Sequence, residues 1–263
     1  MNKLYIISFC NLHNNYDKTK YLIESADKYN MKVEFIGIDI KIEDFKLKDK
    51  IYEFFKKISE FISKNINGIV LLVDAFDIFI LDFEENIINE FLNLNCDILY
   101  SVERHYCHQV IGENREIINY YYKKVDNTDY RFLNSGCCIG YINSLYIFFK
   151  DLINFYEDKY NLIPLANINK ENDDQAMIGY FIYVSNGFIS YNIKFDYYCK
   201  IFLNPYEYLN INESKEIHEY LLQEKNYEIL KFNNKIVKSK IIHLSNISSR
   251  LYLANYLLDL ILH

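Results

Sequence analysis

Val70-Leu71-Leu72-Val73-Asp74-Ala75-Phe76-Asp77 is an apolar run that stops at two aspartates three residues apart. The run has no polar face, so it predicts a strand covered on both sides, as in a parallel sheet flanked by helices. In open α/β sheets, ligands bind beyond the carboxyl ends of the strands. Two carboxylates at that end make a hard oxygen site, suited to Mg²⁺ or Mn²⁺ carrying a diphosphate. The same pair also suits a plain strand end whose aspartates cap the following turn.

Working outward, Leu4 to Phe9 reads as a first strand. Lys18 to Tyr29 reads as a helix with Tyr21, Leu22, Ala26 and Tyr29 on one side. Lys32 to Ile36 is a second strand ended by Gly37, and Leu47 to Ile62 carries Ile51, Phe54, Phe55, Ile58, Phe61 and Ile62 at helical spacing. This β-α-β-α-β order implies a parallel sheet with right-handed crossovers, a Rossmann-like nucleotide-binding half over about residues 1–105. Downstream, Asp97 to Val102 is a strand ending at Glu103. Helices are expected at Glu116 to Lys124, Ser144 to Tyr160 and Asp174 to Val184, with strands at Ile139 to Ile142 and Phe188 to Ile193. A last strand, Ser239 to Ile242, leads to His243, and Ser248 to Leu262 is a closing helix. No Gly/Ser/Pro-rich linker or repeat divides the chain, which reads as one α/β domain over residues 1–263, its second half (about 106–263) less regular.

The composition is 51 % apolar and 25 % charged, ordinary for a soluble globular protein. Tyr (26) and Phe (19) are abundant with no Trp, while Gly (7) and Pro (2) are scarce. AT-rich codons account for much of this, so aromatic richness is no sign of sugar stacking. A net charge of −7 argues against nucleic-acid binding, which needs a basic face. The cysteines (Cys10, Cys96, Cys107, Cys137, Cys138, Cys199) form no C-x-x-C pair and no zinc spacing, so buried free thiols in a reducing compartment are expected. The start enters a strand pattern directly rather than a signal peptide, and no apolar run approaches a membrane span. A cytoplasmic protein that avoids membranes is the expectation. Its genome would be AT-rich, as in a large DNA virus acting in a host cytosol.

Four segments concentrate polar groups between apolar runs. After the aspartate pair comes Tyr130-Arg131-Phe132-Leu133-Asn134-Ser135-Gly136, read as a polar Asn-Ser-Gly turn before a strand. Asn172-Asp173-Asp174-Gln175 opens a helix, where carboxylates also serve simply as caps and partners of the macrodipole. His243 follows an apolar strand, a place where a histidine is more often structural than a ligand.

In order and spacing these segments resemble the glycosyltransferase domain of the multifunctional procollagen lysyl hydroxylases. That family has a strand ending in D-x-x-D with an aromatic third residue, as in Asp74-Ala75-Phe76-Asp77. Its S-A-E and following Cys-Trp pair are similar to Ser101-Val102-Glu103 and Cys107-His108, and its Y-R-Y-L-N-S-G-x-x-I-G to Tyr130 through Gly140. Its D-D-Q helix start is similar to Asp173-Asp174-Gln175, its leucine-aspartate and isoleucine-phenylalanine to Phe195-Asp196 and Ile201-Phe202, and its closing H-G-N-G to His243-Leu244-Ser245-Asn246. The N-terminal strand and the Ser25-Ala26 helix fit as well, so the resemblance covers nearly the whole chain.

The resemblance implies a GT-A-type glycosyltransferase with a mainly parallel central sheet. It would use Mn²⁺ (or Mg²⁺) and a UDP-hexose, with glucose favoured over galactose. Asp74, Asp77 and His243 would hold the metal. Phe76 would stack on uracil, and Asp173, Asp174 and Gln175 would form the catalytic face toward donor sugar and acceptor. Glu103, Asn134, Ser245 and Asn246 would line the donor site. Lys50, otherwise an ordinary solvated helix lysine, would meet a phosphate. The acceptor would be galactosylhydroxylysine of a collagen-like protein or another glycan, with retention of configuration. The family's closing glycines are replaced by Leu244 and Asn246, its glycine-rich stretch reads Phe45-Lys46-Leu47-Lys48-Asp49, and its loop tryptophan is His108. These departures keep open a non-catalytic relative that binds a sugar nucleotide and scaffolds an assembly. No H-x-D occurs, so the family's hydroxylase chemistry is not expected and a stand-alone module is. Edge strands and exposed aromatics would allow a homodimer.

Overall fold

A computed structural model describes residues 3–10, 16–40, 47–104, 128, 130–159, 174–204, 230–232, 235–237, 239–244 and 251–262. The expected helix at 116–124 and residues Cys107, His108, Asp173, Ser245 and Asn246 lie outside the described residues.

The first half follows the expected order. Strand β1 (Leu4–Phe9), helix α1 (Tyr16–Lys28), strand β2 (Val33–Ile36), helix α2 (Leu47–Ser63) and strand β3 (Ile69–Asp74) succeed one another, and β1 pairs in parallel with both β2 and β3. Side chains alternate across a strand, so β3 divides between two cores. Val70 and Leu72 pack with Ile51, Phe54 and Ile58 of α2 on one face. Ile69, Leu71 and Val73 pack with Leu22 and Ala26 of α1 on the other. Each of these β3 residues is buried, the condition that the unbroken apolar run encodes.

Past β3 the chain bends over residues 75–77, forms a short strand β4 (Ile78–Ile80) and enters helix α3 (Glu84–Asn93), which leads to β5 (Ile98–Glu103). Strand β6 (Phe132–Tyr141) then runs antiparallel between β3 and β5, and helix α4 (Ile142–Lys159) follows. The chain resumes with α5 (Asp174–Val184), the single turn α6 (Gly187–Ser190) and β7 (Ile193–Phe195), parallel to β5. The six-stranded sheet has the order β2-β1-β3-β6-β5-β7, with β6 the one reversed strand.

Two local expectations are corrected. Phe188 to Ile193 is not a strand: α6 occupies its start and pairing begins at Ile193. The Asn-Ser-Gly segment is not a turn ahead of a strand but part of β6 itself. It sits at a bulge, where the β5 register jumps from Tyr100 opposite Cys138 to Ser101 opposite Asn134. Bulges admit polar residues inside a strand and re-aim their side chains, so local polarity there mimics a turn.

A second sheet joins distant parts of the chain. After β8 (Phe202–Leu203), a separate hairpin pairs β9 (Leu230–Phe232) with β10 (Lys235–Val237), and β11 (Ile241–His243) inserts between β4 and β8. It is antiparallel to β4, with His243 opposite Ile78, and parallel to β8. Ser25 of α1 accepts the Ile80 N–H at 3.0 Å, tying β4 to the helix layer. Asp196 holds the turn before β8 by accepting the N–H groups of Lys200 (2.9 Å), Ile201 (2.7 Å) and Phe202 (2.8 Å). Its burial raises the carboxyl pKa to about 6, against the lowering effect of those three bonds. A closing helix α7 (Leu251–Leu262) lies against α1, with Asn255 accepting from Lys20 and Tyr21.

The scarcity of glycine has a visible substitute. Asn30, Asn65, Asn95, Asn186 and Asn192 occupy left-handed positions with φ between 48° and 59°. Asparagine tolerates that region better than other residues with a Cβ. Among the described residues, Cys10, Cys96, Cys137, Cys138 and Cys199 are buried and in no disulfide. No described helix is long and apolar enough to cross a membrane.

Candidate functional site

Asp74 closes β3 and Asp77 precedes β4, so the bend between them turns both carboxylates to the carboxyl edge of the large sheet. His243 arrives from the other end of the chain on β11. The β4–β11 pairing and a 2.7 Å bond from the Leu244 N–H to the Asp77 carbonyl set it beside the pair. His243 Nε2 lies 3.4 Å from Asp77 Oδ2 and 3.7 Å from Asp74 Oδ2. One ligand atom from each residue lies within 4.8 Å of the others. Burial alone would lower the His243 pKa, but Asp77 and then Asp74 outweigh it and raise the pKa, with Lys50 opposing them.

The opposite ring nitrogen of His243 fits it for a metal. Nδ1 lies 3.0 Å from Asn134 Oδ1, and that same oxygen accepts the Gly136 N–H at 3.0 Å. An oxygen that accepts a backbone N–H faces Nδ1 as an acceptor, so Nδ1 carries the hydrogen of the neutral ring. Nε2, which faces both aspartate carboxylates, is then the nitrogen that a divalent ion would meet. Two carboxylates and a neutral imidazole could together hold a divalent ion. Gly136 keeps the space open: a Cβ there would lie 2.1 Å from His243 Cε1 and 2.9 Å from Asp74 Oδ2.

A buried cation borders this centre. Lys50 of α2 is only 7 % exposed, which rules out a solvated helix lysine. Its Nζ lies 2.7 Å from Asp74 Oδ1 and 3.0 Å from Asp174 Oδ2, and it donates to the Ser135 carbonyl at 3.2 Å. Burial lowers the Lys50 pKa, but Asp174 and Asp74 together outweigh it and hold the group above its usual value, hence charged. Asp74 thus gives one oxygen to Lys50 and turns the other toward His243. Asp174 and Gln175 are buried in the first turn of α5.

Glu103, Asn134 and Gln175 are joined to one another behind the acidic pair. Asn134 Nδ2 donates to Glu103 Oε2 at 3.2 Å and Gln175 Nε2 to Glu103 Oε1 at 2.7 Å. The Ser135 N–H donates to Gln175 Oε1 at 2.9 Å, and Ser101 Oγ lies 2.9 Å from the Asn134 carbonyl. Phe76 is half-buried in the bend between the two aspartates. Asp74, Asp77, His243, Lys50, Asp174, Gln175, Glu103 and Asn134 are therefore brought together. Two members of the site were not singled out from sequence, Gly136 and the Ser135 backbone. The Asn-Ser-Gly tripeptide was their signal, but only the bulge and the incoming β11 give them partners.

None of the curated proteins compared matches this chain. Among solved structures, it is similar to a glycosyltransferase involved in the glycosylation of the major capsid of PBCV-1, with a TM-score of 0.51 at 10 % identity. That match covers 96 % of this chain and 98 % of the other, and at such identity it speaks for the α/β fold. The family described as the PLOD GT domain matches residues 2–261, and this chain belongs to that family of glycosyltransferase domains.

Proposed function

We propose that the protein transfers a hexose from a UDP-sugar to a hydroxyl acceptor, with a divalent cation, Mn²⁺ before Mg²⁺, held by Asp74, Asp77 and His243. The observation that carries this reading is the convergence of those residues from the end of β3, the bend before β4, and β11. When bound, the ion acts as a Lewis acid that neutralises charge on the departing diphosphate. Lys50 adds a second fixed positive charge at the same edge, where preorganised electrostatics does most for a leaving anion. Phe76 offers a ring to the uracil. By the resemblance, Asp173 and Asp174 would face the donor sugar, where negative charge suits an oxocarbenium-like transition state.

Glucose is the favoured donor sugar, and galactosylhydroxylysine of a collagen-like protein is the first acceptor to try. The resemblance supports transfer with retention of configuration. The rival reading, a scaffold that binds a sugar nucleotide without turnover, draws on Leu244 and Asn246 in the closing motif. The ordered ligand set and its supporting hydrogen bonds favour catalysis.

The test is UDP release from UDP-glucose and UDP-galactose, with Mn²⁺ or chelator, with and without a galactosylhydroxylysine peptide. Metal-dependent release that rises with the peptide supports the proposal and names the donor. Asp77→Ala should abolish both release and metal-dependent UDP binding. Wild-type turnover by that variant in chelator would sink the metal-dependent mechanism, and tight UDP binding with no turnover would favour the scaffold.

A further inference from the structure

We infer that Glu103 is a positioning residue that acts through Asn134 to fix which ring nitrogen of His243 faces the metal, with Gln175 locking Glu103 in place. The inference rests on reading Asp74, Asp77 and His243 as a metal site.

It follows from the directions of the hydrogen bonds. The Gly136 N–H can only donate, so the Asn134 atom it meets at 3.0 Å is the amide oxygen. A carboxylate without its proton can only accept, so the Asn134 atom that Glu103 Oε2 meets at 3.2 Å is the amide nitrogen. The Asn134 amide is thus oriented from two sides, and the oxygen 3.0 Å from His243 Nδ1 compels that nitrogen to carry the hydrogen. On the far side, Gln175 Nε2 donates to Glu103 Oε1 at 2.7 Å, while Gln175 Oε1 is held by the Ser135 N–H at 2.9 Å. Glu103 therefore accepts at both ends, from two amides whose own oxygens are already engaged. An isosteric amide at this position would set an N–H₂ against one of them.

Burial gives these directions force. Glu103, Asn134 and Gln175 are 7 %, 5 % and 8 % exposed, so a mismatched donor pair has little water to turn to. Burying a carboxylate is unfavourable unless charge-assisted bonds hold it, and both oxygens of Glu103 are so held. The chain also closes on itself. Ser135 gives its N–H to Gln175 and its carbonyl accepts from Lys50, and Lys50 holds another proposed ligand, Asp74. Through Glu103 and Asn134, the first turn of α5 is connected to Nδ1 of His243.

The experiment compares wild type with Glu103→Gln, Glu103→Asp and Gln175→Ala in the intact chain. Protein loaded with diamagnetic Zn²⁺ and carrying ¹⁵N-labelled histidine is observed by NMR, which distinguishes the Nδ1–H from the Nε2–H ring. Affinity for Mn²⁺ alone is measured by electron paramagnetic resonance. Wild type should show His243 as the Nδ1–H tautomer. Glu103→Gln should add the Nε2–H tautomer and weaken Mn²⁺ about 10- to 100-fold, as outer-shell partners of ligating histidines do. Glu103→Asp, which keeps both acceptor oxygens, should recover part of the loss. If Glu103→Gln does not fold, Gln175→Ala carries the test, with the same tautomer shift at smaller amplitude.

Wild-type tautomer and wild-type Mn²⁺ affinity in whichever of these two variants carries the test overturn the inference. His243→Ala separates the two readings. If it binds Mn²⁺ like wild type, the metal site itself fails. If it loses Mn²⁺ while Glu103→Gln does not, only the positioning role fails.

Discussion

Gly136→Ala tests the site through one methyl group. The added Cβ would lie 2.1 Å from His243 Cε1, 2.5 Å from Nδ1 and 2.9 Å from Asp74 Oδ2. Carbon atoms settle at about 3.5 Å or more, so the ring must retreat by about 1.4 Å. It has little room, because Nδ1 is held 3.0 Å from Asn134 Oδ1 and Nε2 lies 3.4 Å from Asp77 Oδ2. Overpacking of this kind is expected to destabilise the fold by about 1–3 kcal/mol. A displacement near 1 Å at a working group lowers function about 100-fold, so Mn²⁺ affinity and metal-dependent UDP release should both fall by about that factor. Urea denaturation and Mn²⁺ titration read the two effects separately. In a His243→Ala background the imidazole is gone and the half-exposed Asp74 carboxylate can swing aside, so the second substitution should be nearly neutral for stability. The reasoning is refuted if Gly136→Ala binds Mn²⁺ like wild type, or if its stability loss is the same with and without His243.

Lys50→Met should leave Asp74 and Asp174 facing each other without their shared cation and destabilise the fold by about 3 kcal/mol, because one partner of a buried ion pair is removed. Chemical denaturation measures this, and a loss below about 0.5 kcal/mol would mean that Lys50 is dispensable to the site's charge balance. Asp196 has a pKa raised to about 6 by burial, so between about pH 4 and pH 6 the folded state binds its proton more readily than the unfolded chain does. Its contribution to stability should fall by up to about 3 kcal/mol as pH rises through that window and stay level above it. Asp196→Asn should remove that slope in denaturation midpoints taken across the window, and an unchanged slope would place the titration elsewhere.

The legible parts of the chain were those in which one residue's environment repeats along its own element. The β3 run declares two covered faces because each of its residues is apolar, and α2 declares its buried stripe through Ile51, Phe54 and Ile58. The D-x-x-D and His243 were ambiguous from their residues alone, a strand-end cap and a structural histidine being open, and the family resemblance marked them as a ligand set. What stayed hidden depends on pairing between remote segments. The three-residue β4 has no period of its own, and its identity comes from β11. The Asn-Ser-Gly segment reads as a turn until β3 and β5 are placed on its two sides. Lys50 looks like any helix lysine because nothing adjacent in sequence marks it for burial. Its two anions come from β3 and from the start of α5.

The insertion of β11 between β4 and β8 has a consequence for biosynthesis. Asp74 and Asp77 leave the ribosome early, but His243, the proposed third ligand, stands in the strand before the closing helix. Until that strand docks, β4 and β8 lack their shared neighbour and the acidic pair lacks its nitrogen. A nascent or prematurely terminated chain could shape much of the large sheet and still hold no working centre. If the proposed metal site holds, metal occupancy would report that β11 has docked, and fragments that lack it would not bind the ion through His243.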